Sequence, residues 1–125
     1  MYIHNKRVSD IKRAQKTSLF LRTISTLFSR LTTDNTELTS LFVNRVELAP
    51  DKSICYVLFY SPLGIEEFNK KLPLLILYKP SLRGALASEI NGRYTPDIVF
   101  KYDEAQEHVD RIDTILQNLK DKGEL

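Results

Sequence analysis

Lys79, Ser81 and Arg83 surround Pro80, and this is where the chain's residue types point to chemistry. Proline removes a backbone donor and clashes with the preceding helical turn, so a helix arriving at Lys79 must end or kink there. Proline is tolerated in the first turn of a new helix. That helix would aim its free N–H groups outward beside two cations, a natural seat for phosphate. Arg93 follows the far end of the same helix. Lys12, Arg13 and Lys16 share one face of an earlier helix by spacing, and Arg45 lies on the outward side of a strand pattern. Together these eight residues are the candidate RNA-binding set.

Covalent, acid–base and metal chemistry find no support. His4 and His108 have no neighbouring ligands at metal spacing, and each reads as a surface histidine. Cys55 sits in a strand pattern with no base beside it and reads as a small core residue. The four glycines make neither a phosphate-binding loop nor a dinucleotide fingerprint. Glu66-Glu67 and the acids after Asp103 read as solvated helix faces. The expectation is a non-enzyme with no cofactor and no metal.

The charge is unevenly placed. Residues 1–33 hold seven cations against Asp10 alone, a net +6, whereas residues 103–125 hold seven acids against three cations, a net −4. The whole chain is only +2 over 125 residues. A basic end attracts nucleic-acid phosphates through counterion release. The size fits one domain with its own core. A single cysteine excludes an internal disulfide and suits a reducing compartment, so a cytoplasmic location is expected. No apolar run reaches membrane-spanning length.

The elements that must position the cations follow from periodicity. Residues 1–8 read as a flexible lead-in, residues 9–119 as one domain and residues 120–125 as a frayed tail. Ser9 can cap a helix over residues 11–31 whose stripe is Ala14, Leu21, Ile24, Phe28 and Leu31. Residues 32–40 are turn-rich. Strands are expected over 41–49 and 53–60, joined by Pro50-Asp51-Lys52, with Val46, Leu48, Cys55, Val57 and Phe59 inward. Val43, Arg45, Glu47, Tyr56, Leu58 and Tyr60 would then face outward. A helix over 65–78 contains Pro73, so it begins near Leu72 or is kinked there. Leu82, Leu86 and Ile90 stripe the next helix, which Asn91-Gly92 closes. Residues 98–102 form a third strand, and Asp103 starts a helix striped by Val109, Ile112, Leu116 and Leu119. Three strands would bury one face under the first three helices. Either the last helix or a partner would cover the other face, and the stripe of that helix, which needs a surface to meet, favours the helix.

Three segments carry a resemblance. Arg93-Tyr94-Thr95-Pro96-Asp97-Ile98-Val99-Phe100-Lys101-Tyr102-Asp103, the hairpin Arg45-Val46-Glu47-Leu48-Ala49-Pro50-Asp51, and Arg111-Ile112-Asp113 with Ile115-Leu116 stand in the order and spacing of ribosome-binding factor A. The chain resembles that family over roughly residues 9–119. The resemblance implies an α+β fold of type II KH-like form, a three-stranded sheet with helices packed on one face in the order α-β-β-α-(kink)-α-β-α. It implies a monomeric cytoplasmic factor that binds the 30S ribosomal subunit precursor and its 16S rRNA during late maturation, with a role in cold adaptation and no membrane association. Where the family carries an Ala-x-Gly kink, this chain reads Tyr78-Lys79-Pro80, and proline supplies a bend by losing a hydrogen bond. The competing reading is a protein–protein interaction module that uses the outer sheet face, with Tyr56 and Tyr60 at its centre.

Overall fold

The computed structural model describes residues 2–90 and 95–123; for residues 2–7, 9, 107 and 110 it describes the backbone alone. Among these described residues four α-helices and three strands follow one another as α1 (Tyr2–Asp34), β1 (Phe42–Leu48), β2 (Ile54–Tyr60), α2 (Ile65–Leu77), α3 (Lys79–Glu89), β3 (Asp97–Tyr102) and α4 (Glu104–Asp121), with a 3-10 turn at Thr36–Ser40. This is the α+β order that the sequence implies.

The sheet is ordered β1-β2-β3, with β1 antiparallel and β3 parallel to β2. A parallel neighbour needs a crossover, and the α2–α3 pair supplies it. The inward row of β2, Cys55, Val57 and Phe59, is fully buried. Phe59 lies at the centre of an aromatic cluster, 5.3 Å from the Phe28 ring, 5.6 Å from Phe100 and 6.0 Å from Phe68. Phe20, Ile24 and Phe28 of α1, Phe68 and Leu75 of α2 and Leu82 and Leu86 of α3 close over that side.

Four expectations need correction. First, α1 begins at Tyr2 rather than after Ser9. Its buried stripe includes Phe20, whereas Ala14 is exposed. Second, the pairing register slips between Val43 and Arg45. Asn44 is the extra residue of a β-bulge, so Val43 turns to the core while Arg45 stays outside. Third, α2 runs unbroken through Pro73. Proline there deprives only the Asn69 carbonyl of a partner, and both residues are exposed, so water can replace the bond. Fourth, α4 reaches β2 but does not bury its own stripe: Val109, Ile112, Ile115 and Leu116 remain 44–58% exposed. Leu58, on the outer face of β2, is nonetheless buried.

Candidate nucleic-acid interface

The elbow between α2 and α3 is one residue long. Tyr78, at φ −93° and ψ −1°, ends α2 and caps α3, and Pro80 stands in the first turn of α3. The Tyr78 N–H donates to the Leu75 carbonyl at 3.0 Å, and the Tyr78 carbonyl accepts from Leu82 N–H at 3.1 Å. Each helix is thus closed on its own side of the elbow. Asn35, just past the end of α1, donates from Nδ2 to the Tyr78 hydroxyl at 3.5 Å, which ties the elbow to the end of the first helix.

Two candidate cations sit just beyond the elbow. Lys79 is half-buried, with Nζ 5.6 Å from the centre of the Phe100 ring. This cation–π contact holds its stem along β3. Arg83, one turn on, has half of its side chain exposed. Its Nη1 lies 3.6 Å from Asp97 Oδ1, and Nη2 donates to the Thr95 carbonyl at 3.4 Å. Asp97 is itself 72% exposed, so this long pair is weak and leaves Arg83 with donors to spare. Lys79, Pro80, Arg83, Gly84, Thr95 and Asp97 line an open groove of about 590 Å³ between α3 and β3. Its formal charge is +1, two cations against Asp97. Ser81 is exposed beside it.

The other candidates lie elsewhere. Arg13 donates from Nη2 to the Leu48 carbonyl at 3.1 Å and so clamps α1 to the end of β1. Lys12 is exposed and Lys16 half-buried on the same stretch. At about 1.5 Å per residue, that stretch stands roughly 30 Å along α1 from the Asn35 end that meets the elbow. The two groups of cations are therefore separate patches. Arg45 is committed to carboxylates: Nε to Asp103 Oδ2 at 2.8 Å, Nη2 to Asp103 Oδ1 at 3.2 Å and Nη1 to Glu47 at 2.7 Å. Its hydrogen bond to Asp103 raises its pKa against the pull of partial burial, and its fork is already filled. Arg93 lies outside the described residues.

Sequence reasoning missed the partners of these groups, Asp97 for Arg83, Phe100 for Lys79 and Asp103 for Arg45, because strand register creates them. It also missed Arg22 and Arg30. Their eight-residue spacing puts them on one side of α1, a signal that was present.

Burial pushes the Cys55 thiol up to about 12, so it is not a thiolate nucleophile at neutral pH. Among the described residues no cluster of histidine, cysteine or acids could hold a metal ion, and no helix is long and apolar enough to cross a membrane.

The family model described as Ribosome-binding factor A matches residues 12–116. The chain is 34% identical over 100 residues to Ribosome-binding factor A of Beijerinckia indica, covering 78% of this chain and 70% of that protein. Against Ribosome-binding factor A of Trichlorobacter lovleyi it is 33% identical over 110 residues, covering 86% and 88%. It spans about half (51%) of the Methylocella silvestris protein of that name, at 35% identity over 80 residues, 64% of this chain. The crystal structure of ribosome-binding factor A from Thermus thermophilus shares the fold, with a TM-score of 0.59 at 24% identity over 70% of this chain and 92% of that one. The architecture is KH-like.

Proposed function

The chain belongs to the ribosome-binding factor A family, non-catalytic factors of ribosome biogenesis, and from that premise we propose that it binds the 30S ribosomal subunit precursor through 16S rRNA during late maturation. It does so in the cytoplasm and as a monomer when free. The attachment point is the α2–α3 elbow, where Lys79, Ser81 and Arg83 meet the phosphate backbone. Recognition there is of backbone and shape, since folded RNA offers little else to a surface of cations and small side chains.

The observation that carries this reading is Arg83, half exposed in the first turns of α3 and held by two long contacts, 3.6 Å to the solvated Asp97 carboxylate and 3.4 Å to the Thr95 carbonyl. It costs little to release it to a phosphate. The competing reading, a protein partner on the outer sheet face, has less to stand on. Leu58 is buried there, Tyr60 stacks on Tyr102 with centroids 6.3 Å apart, and Lys101 covers the Tyr56 ring at 4.4 Å.

Sedimentation of cell extract through a sucrose gradient tests the proposal. The expected result is co-migration of the chain with free small subunits and its absence from translating ribosomes. A chain found only at the top of the gradient at low salt overturns it.

A further inference from the structure

A second groove runs along the other flank of α3, between α3 and α1, and the reading above leaves it unused. Arg22, Thr26 and Arg30 of α1 line it opposite Ser88 and Glu89 of α3. Arg22 and Arg30 are exposed, and neither is ion-paired among the described residues. Eight residues apart, they stand about 12 Å from each other along the helix axis.

The crest of α3 between the two grooves is exposed at Pro80, Ser81, Gly84 and Ser88. Glycine weakens a helix interior, and it is retained where a backbone must be approached closely. Nothing inside the fold requires it at Gly84: a Cβ built there meets no atom within 4 Å. Both grooves are also without aromatic side chains among their described lining residues. Proteins that hold single strands stack bases on aromatic rings. Double-helical RNA presents instead a wide, shallow minor groove edged by phosphates and 2′-hydroxyls.

We infer that α3 is a ridge that seats in the minor groove of a double-helical RNA segment, with Lys79 and Arg83 on the phosphates of one strand and Arg22 and Arg30 on those of the other. Thr26 offers its hydroxyl toward the 2′-hydroxyls between them, and Ser88, which donates its own proton to the Gly84 carbonyl at 3.2 Å, offers its oxygen as an acceptor. Glu89 and Asp97 oppose phosphate, one on each flank, and keep the affinity moderate. The inference rests on the elbow reading and adds the class of RNA and a second row of contacts.

The test is fluorescence anisotropy of the full chain with a blunt RNA hairpin and with an unstructured single strand of equal length. The hairpin is expected to bind about tenfold more tightly. Arg22→Ala with Arg30→Ala is expected to weaken hairpin binding about tenfold and to flatten the dependence of log affinity on log salt by one to two units. Thr26→Glu is expected to weaken it as well, and Glu89→Gln to tighten it, all with unchanged melting temperature. Equal affinity for the single strand overturns the inference. So does wild-type hairpin binding by the Arg22/Arg30 variant when Lys79→Ala with Arg83→Ala binds poorly, and the elbow reading then survives. If none of the four cations matters, the elbow reading falls too.

Discussion

Lys79→Glu combined with Arg83→Glu lowers the affinity of the chain for the small-subunit precursor by on the order of a hundredfold near physiological salt. Two attractive contacts become two repulsive ones in a groove whose formal charge moves from +1 to −3. The fold should scarcely register the change. Lys79 loses a cation–π contact that is worth about 0.5–1 kcal/mol where exposed. The Arg83–Asp97 pair is long and solvated, so its loss costs less still. Paired alanines should weaken binding by roughly tenfold, with a salt dependence shallower by about two units. Filter binding across a salt series, with a melting curve for each variant, reads both effects. Wild-type affinity in the glutamate variant means that the elbow is not the contact.

Asp103→Ala destabilises the chain by about 2–3 kcal/mol, because one buried carboxylate both caps a helix and holds a cation. It accepts the Gln106 N–H at 3.2 Å and so caps α4, and it receives Arg45 and Asn44, the latter at 2.7 Å. Its side chain is 2% exposed, whereas that of Arg45 is 45% exposed. Arg45 can therefore rehydrate when its partner is removed, which keeps the cost below that of a fully buried pair. Asp103→Asn keeps an acceptor for the cap and loses the charge, so it should cost about half as much. Burial by itself would raise the Asp103 pKa, but the hydrogen bonds from Arg45, Asn44 and Gln106 outweigh it and hold the pKa below the usual carboxylate range. A depressed folded pKa stabilises above the unfolded value, about 3.9, and that contribution is lost as pH falls through the folded value. Thermal melts at pH 7 and pH 3 should show the gap between wild type and Asp103→Asn narrowing in acid. A gap independent of pH means that the charge of Asp103 contributes nothing.

Local signals were enough to place the elbow and the strands. Pro80 suits the first turn of a new helix, the apolar run through residues 54–60 fits a central strand, and the alternation through residues 97–102 fits a strand with one buried face. The register of α1 was harder to read. Ala14 and Phe20 both fall near an apolar stripe by spacing, and only the packing of Phe28 against Phe59 decides which face turns inward. The bulge at Asn44 leaves no mark in composition, yet it separates Val43 from Arg45 and delivers Arg45 to Asp103, 58 residues away. The candidate site shares this limit. Lysines and arginines are visible in a sequence, but whether each is solvated, clamped like Arg13 or consumed like Arg45 is decided by partners that tertiary structure brings. The stripe of α4 is as regular as any in the chain, and regularity alone did not say that it would stay uncovered.

A photo-crosslinking amino acid placed at Ser81, on the exposed side of the elbow, tests the central claim most directly when the chain is irradiated with assembling small subunits. Covalent attachment to 16S rRNA from that position, and none from the same group placed at Tyr56, is the predicted result. Attachment from position 56 to a protein, with position 81 silent, contradicts it.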